Sequence, residues 1–224
     1  AGAGRTDAGV HAAGQVASAP VTGTHDAETY RRALNAKLPE DVRILRVEEA
    51  APGFHARFSP SIKTYRYTIW NSRTPPALAR RFAWHVPVAL DLDAMRLAAS
   101  AVVGTHDFNA FRGRGSHVRT SVRTMTASRV IERLVSPAWP IVETGAGGGE
   151  VSLIVYEVSG RGFVRHMVRA LAGTLVEIGR GQQPPETMAA LLAGAERRDA
   201  GETAPTQGLT LVEVRYDGAV EVGP

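Results

Sequence analysis

The chain has 224 residues, 44% of them hydrophobic, and a formal net charge of +4. This composition excludes a disordered chain, and no run approaches the roughly 18 apolar residues that cross a bilayer. The absence of cysteine excludes disulfides and thiolate metal sites and is typical of a reducing cytoplasm, where we expect the protein. Nearly all the positive charge is arginine, since only Lys37 and Lys63 are lysines. Arginine suits RNA, although genome composition is an alternative explanation.

The N-terminal third predicts a short extended segment, a helix and two strands. The helix begins at the cap residue Asp26 and carries Tyr30, Leu34 and Leu38 at helical spacing. The extended elements are residues 15–19, 42–47 and 64–70. In the last of these, Tyr65, Tyr67 and Ile69 share one face.

The rest of the chain alternates between helices and strands. Asp91 caps a helix that Gly104 closes, and a second long helix is expected over Phe163–Ile178. A short helix starts at Pro185, and the Pro- and Gly-rich stretch 137–149 predicts a mobile loop. The predicted strands are 123–134, 151–158 and 209–216. Several connections are too short for parallel crossovers, which favours an α+β fold with a mostly antiparallel sheet and helices on one face.

The most informative segment is Gly4-Arg5-Thr6-Asp7-Ala8-Gly9-Val10-His11-Ala12. Its glycines permit backbone conformations and close approaches that a Cβ forbids. A single carboxylate, Asp7, therefore lies in a tight turn that a planar ligand can approach. The alternative is a structural turn in which Asp7 caps its own backbone.

This segment resembles the signature of the TruA family of tRNA pseudouridine synthases. Four further blocks resemble that family in the same order along the chain: 54–58 with 63–67, 104–108 with Phe111, Gly162–Arg169, and 204–205 with 208–211. The resemblance therefore covers essentially the whole chain. Family members carry a further segment ahead of the signature, and this chain begins at Ala1 without a methionine, so we expect that part of the first half-domain is missing.

The resemblance implies a pseudouridine synthase fold, in which two ferredoxin-like α/β halves share a central sheet and meet at a basic cleft. We expect residues 1–52 to be the remainder of the N-terminal half-domain and residues 53–224 to be the C-terminal half-domain. It also implies a homodimer that acts on tRNA, with no membrane, metal or cofactor.

The same resemblance implies the catalytic residues. Asp7 corresponds to the nucleophile, and Arg169 to the arginine that pairs with it and keeps the carboxylate charged. Tyr65 would stack on the target uracil and assist proton removal; stacking is the better supported role, because tyrosine rarely supplies a phenolate at neutral pH. Leu209 would line the uracil pocket. From spacing alone, Arg169 is equally an exposed helix residue, and Tyr65 and Leu209 are core residues.

The target base must leave its stack before Asp7 can reach it. Arg5 and Thr6 are placed to hold the opened strand, and several basic residues are candidates for phosphate contacts. These are Arg57, Lys63, Arg66, Arg112, Arg114, Arg119 and Arg123. The run 112–117 is equally a flexible basic RNA-binding loop or a solvated turn.

The sequence thus predicts a tRNA pseudouridine synthase, and the family implies uridines 38, 39 and 40 of the anticodon stem-loop as targets. One alternative is a non-catalytic RNA-binding module of the same fold. Another is a metal-dependent hydrolase that uses Asp7, His11, His106 and Asp107, but this spacing matches no recognised ligand set. We expect His106 and Asp107 to form a structural corner instead.

Overall fold

A computed structural model describes residues 1–113, 115, 119–141 and 150–217. Within them, one sheet contains seven strands in the spatial order β1-β7-β2-β6-β5-β4, with β3 beside β2. The strands are β1 (His11–Ala12), β2 (Pro60–Asn71), β3 (Trp84–Val86), β4 (Gly104–Asp107), β5 (Val122–Val135), β6 (Val151–Gly160) and β7 (Leu209–Tyr216). The β1–β7 and β2–β3 pairs are parallel, and the remaining pairs are antiparallel. The predicted mixed fold with a mostly antiparallel sheet is therefore confirmed.

Four α-helices accompany the sheet in the described residues: α1 (Ala27–Asn35), α2 (Leu92–Ser100), α3 (Met167–Gly179) and α4 (Thr187–Leu192). Asp26 and Asp91 cap α1 and α2, as predicted, by accepting hydrogen bonds from backbone N–H groups of the first turn. The caps satisfy donors that the helix itself leaves unpaired.

The main core lies between one face of the sheet and helices α2, α3 and α4. Tyr67 of β2 and Tyr156 of β6 are directly opposite each other in the ladder, and both are fully buried. Helix α3 is buried along almost its whole length. It packs so closely on the chain after α4 that a Cβ at Gly173 would overlap the carbonyl of Glu202. The centre of the sheet and α3 therefore form the scaffold from which the neighbouring loops project.

Several predicted elements differ from the structure. The segment 42–47 is not a strand: it forms no β-ladder with the described residues, and Leu45 is 80% exposed. Instead, the side chain of Asn35 makes hydrogen bonds to both backbone groups of Ile44. A run of strand-forming residues becomes a strand only where a partner supplies the ladder, and here the Asn35 side chain holds the loop.

The second difference concerns the start of α3. The prediction placed it at Phe163, but the helix begins at Met167, and His166 has the left-handed φ of 63°. That conformation breaks the helical path and directs residues 162–166 out of the helix. Helix α2 also ends before Gly104, at Ser100.

Parts of two predicted loops lie outside the described residues. They are 142–149 of the loop expected at 137–149, and Arg114 and 116–117 of the basic run. Residues 137–141 form turns. Among the described residues, no helix is long and apolar enough to cross a membrane.

Candidate active site

Asp7 lies at the start of a tight turn formed by residues 7–10, in which the Val10 N–H donates to the Asp7 carbonyl at 2.9 Å. Gly9 has a φ of 81°, and a Cβ there would come within 2.6 Å of the Thr206 hydroxyl oxygen. Only glycine fits this turn against the chain before β7. The Asp7 side chain remains 46% exposed, so its carboxylate is accessible from solvent.

Several contacts attach the segment around this turn to the sheet. Strand β1 pairs with β7, and Gln15 donates to the Gly4 carbonyl at 3.1 Å. The ammonium of Lys63, on β2, donates to the carbonyl of the buried residue Ala3. Burial, with Arg57 nearby, lowers the pKa of Lys63. The backbone on both sides of Asp7 is therefore held, although the carboxylate is open.

The partner of the Asp7 carboxylate in this structure is His166. Its Nε2 lies 3.1 Å from Oδ2 of Asp7, and the imidazole is 24% exposed. Residue 113 packs against the other edge of the ring: a Cβ at Gly113 would lie 2.6 Å from Nδ1 of His166. The backbone there is fixed by a hydrogen bond of 2.8 Å from the Gly113 N–H to the Arg165 carbonyl.

Partial burial and the nearby guanidinium of Arg169 lower the pKa of His166 below its usual 6.5, although Asp7 opposes the shift. The ring is therefore mainly neutral at neutral pH. A neutral imidazole has a single N–H, so the contact with the carboxylate places that proton on Nε2.

Arg169 projects from the first turn of α3. Its Nε donates to the Ala204 carbonyl at 2.7 Å, and the Ala204 N–H donates back to the Arg169 carbonyl at 3.1 Å. No ion pair within 4.0 Å joins Arg169 to Asp7 in this structure, where both residues are described. The guanidinium nevertheless lies near enough to affect the pKa values of His166 and Tyr67. The structure thus brings Arg169 to the site without the predicted direct pair.

Tyr65 lies on the face of β2 next to the segment that carries Asp7. Its ring packs edge-on against Phe163, with 4.8 Å between ring centroids, and its hydroxyl lies 3.7 Å from where a Cβ of Gly4 would be. Burial raises the pKa of Tyr65, which disfavours the phenolate. Leu209 is 8% exposed and belongs to the main core, against which Tyr65 packs.

The predicted RNA-contact residues do not all lie at the Asp7 site. Arg5 and Thr6 are exposed beside Asp7, and Arg57, also exposed, lies over the ring of Phe58 at 5.4 Å. Arg66 lies on the opposite face of β2 from Tyr65, and its Nε donates to Glu157 at 2.6 Å. Arg66 is therefore not part of the Asp7 site.

The histidines of the hydrolase alternative make structural contacts. The His11 ring is hydrogen-bonded to the Arg81 carbonyl and stacks on Phe82. His106 bonds the Val103 carbonyl, and Asp107 accepts bonds from Asn109 and Ser121, as expected for a structural corner. In the part of the chain that the structure describes, no three His, Cys, Asp or Glu side chains are grouped for a metal ion.

Sequence reasoning missed His166, Gly113 and Thr206. His166 is three residues before Arg169 in one family-like block, and Thr206 lies inside another. The sequence signal for His166 is a titratable ring close to a candidate catalytic arginine. The predicted helix start at Phe163 concealed this signal, because a regular helix from Phe163 would not contain the break at His166.

Comparisons with known proteins identify relatives of the chain. A family model described as tRNA pseudouridine synthase matches residues 1–59 and 98–217. Among the curated relatives, the tRNA pseudouridine synthase A of Syntrophotalea carbinolica is 44% identical over 213 residues, which cover 95% of this chain and 78% of the relative.

Two further relatives carry the same name. The protein of Moorella thermoacetica is 44% identical, covering 96% of this chain and 80% of the relative. That of Chloroflexus aurantiacus is 44% identical, covering 96% of this chain and 72% of the relative. Since residues from separate family-like blocks also converge around Asp7, the chain belongs to the TruA family of tRNA pseudouridine synthases.

Proposed function

We propose that this chain converts uridine to pseudouridine in tRNA, with Asp7 as the nucleophile. The observation that carries the proposal is the exposed carboxylate of Asp7, held in a turn that only glycine permits, beside Tyr65, His166 and Arg169. A chain that only bound RNA would gain nothing from an ionised acid at this position, because a carboxylate repels phosphates.

The reaction rearranges the atoms of one nucleoside. The bond between ribose C1′ and uracil N1 breaks, the uracil turns, and a bond forms between C1′ and C5 of the ring. C5 loses a proton and N1 gains one, so the overall change needs no oxidant or energy source. Asp7 supplies the transient covalent link, whether to the ribose or to the uracil ring.

The surrounding residues support this chemistry. Tyr65 offers a ring for stacking on the flipped uracil, and its raised pKa fits a protonated phenol in that role. Arg169 supplies positive charge near the carboxylate, and we propose that it pairs with Asp7 once substrate excludes water. We propose that Leu209, a residue of the main core against which Tyr65 packs, lines the uracil pocket.

We further propose that Arg5 and Thr6 hold the opened strand, while Arg57 and Lys63 contact phosphates beside them. The family implies the anticodon stem-loop, at positions 38, 39 and 40, as the target. It also implies two half-domains, here 1–52 and 53–224, around a basic cleft, and a homodimer that shares one tRNA.

The test is incubation of the protein with unmodified tRNA, followed by chemical mapping of pseudouridine at each position. We expect modification confined to the anticodon stem-loop and unaffected by excess chelator. Binding of tRNA without any pseudouridine would favour the RNA-binding module, and activity lost to EDTA but restored by metal would favour the hydrolase.

A further inference from the structure

We propose that His166 is a positioning residue for the nucleophile: its Nε2–H donates to Oδ2 of Asp7 and fixes the orientation of the carboxylate. The inference rests on the proposed function and deepens it, because it assigns a role at the same site to a residue that touches Asp7 and not the substrate.

The geometry around His166 constrains the ring from both sides. Nε2 lies 3.1 Å from the carboxylate, and the opposite edge of the ring faces Gly113 so closely that a methyl group there would overlap Nδ1. The Gly113 backbone is in turn bonded to residue 165. The imidazole therefore has little room to rotate away from Asp7.

The backbone of His166 points to the same role. Its φ of 63° and ψ of 4° lie in the left-handed region, which residues other than glycine seldom adopt, although histidine does so more often than most. The His166 side chain makes no capping hydrogen bond to the first turn of α3. The strained conformation instead carries the ring across to Asp7, as strain at functional sites commonly does.

Among the described residues, the charged groups that act on the ring are Asp7 from the turn and Arg165 and Arg169 from its own segment, while Gly113 contributes no charge. The two cations and burial disfavour a charged imidazolium, so the ring donates one hydrogen bond without adding a full ion pair. The neutral ring thus contributes orientation to the site, and the positive charge comes from the neighbouring arginines.

Two amide substitutions distinguish a role of the His166 side chain from a role of its left-handed backbone conformation. A glutamine amide nitrogen reaches about as far as Nε2, whereas an asparagine amide reaches only as far as Nδ1. Asparagine, however, tolerates the left-handed conformation better than glutamine does. We expect His166→Ala and His166→Asn to lower kcat about 10- to 100-fold with KM within about twofold, and His166→Gln to restore most of kcat.

Thermal unfolding of the three variants shows whether each one folds. If His166→Asn were as active as His166→Gln or more so, the role would be conformational and the proposal would be wrong. The proposal would equally fail if KM rose in all three variants while kcat stayed unchanged, because His166 would then act in tRNA binding.

A second variant perturbs the ring without replacing it. Gly113→Ala should push the imidazole from Asp7 and lower kcat in the same way, whereas Gly2→Ala, where a Cβ meets only ordinary contacts at 3.5 Å or more, should not. Normal turnover in Gly113→Ala, with the ring still displaced from Asp7, would contradict the proposal.

A measurement without turnover keeps this inference distinct from the proposed function. Nitrogen NMR of the imidazole should show a hydrogen-bonded Nε2–H in the wild type, and its resonance should shift in Asp7→Ala as that hydrogen bond is lost. An inactive wild type with the hydrogen-bonded resonance would refute the function but retain the contact. An Nε2–H resonance insensitive to Asp7→Ala would overturn the inference even in an active enzyme.

Discussion

The two faces of the sheet around β2 each present a carboxylate beside basic groups, yet the two carboxylates differ in solvent exposure and in hydrogen bonding. Glu157 of β6 is 8% exposed, and its two oxygens are each bonded by an arginine, Arg66 at 2.6 Å and Arg129 at 2.9 Å. Asp7 is 46% exposed, and its Oδ2 lies 3.1 Å from Nε2 of His166.

The difference between the two carboxylates follows from the elements that carry them. Arg66, Glu157 and Arg129 occupy one row across three paired strands, so the sheet itself fixes their geometry and uses up the acceptor capacity of the carboxylate. Asp7 lies in a turn, where the backbone is held but the carboxylate is accessible to solvent. The buried carboxylate stabilises the fold, and we propose that the accessible one reacts.

The largest expected effect distinguishes the two carboxylates by activity. Asp7→Asn keeps the shape but removes the nucleophilic charge, so we expect conversion of tRNA to fall by at least about 10³-fold, or roughly 4 kcal/mol in the activation barrier. The matched change Glu157→Gln should leave kcat within about twofold. Single-turnover pseudouridine assays with tRNA-binding measurements test both. Comparable losses in the two variants would erase the distinction between the two sites.

A smaller effect is expected at Arg169. Arg169→Ala should reduce kcat about 10- to 100-fold, because the site loses the positive charge that we propose pairs with Asp7. Arg169→Lys retains charge but not the planar guanidinium that binds Ala204, and should recover only part of the activity. If lysine and alanine behave alike, the hydrogen bond to Ala204, and not the charge, is what the site needs.

The smallest effect concerns stability. Burial opposes ionisation of Glu157, but hydrogen bonds from Arg66 and Arg129 outweigh it and lower its pKa below 4.5. The resulting stabilisation is present above that pH and is lost as the pH falls through the lowered value. We expect Glu157→Gln to cost about 1–2 kcal/mol at pH 7, discounted for the exposure of both arginines, and the cost to shrink below pH 4.

Denaturant unfolding at pH 7 and at pH 3.5 measures this cost. Asp7→Asn is the control and should change stability by no more than about 0.5 kcal/mol, as exposed substitutions generally do. A pH-independent cost at Glu157 would mean that lost packing, and not the charged pair, accounts for the effect.

The sequence alone correctly predicted the helices and strands that depend on local residue patterns. The caps Asp26 and Asp91 and the strands β2, β5, β6 and β7 were correctly identified, because caps and runs of strand-forming residues depend on neighbouring residues. The segment 42–47 was not, since none of the described strands pairs with it. A strand is a property of two segments, and one segment cannot predict it.

The site was predictable to a similar degree. The family-like blocks identified Asp7, Tyr65 and Arg169, and the structure brings all three to one region. They did not identify His166 as the contact of Asp7, because that contact depends on one left-handed residue before α3. They also could not separate Lys63 from Arg66, which the sheet places on opposite faces.

The pairing of β1 with β7 has a consequence for protein synthesis. The turn that presents Asp7 is held by Thr206 and by the strand Leu209–Tyr216, which emerge from the ribosome long after Asp7 itself. On a nascent chain, the segment that carries Asp7 therefore cannot dock on the sheet until β7 has left the ribosome.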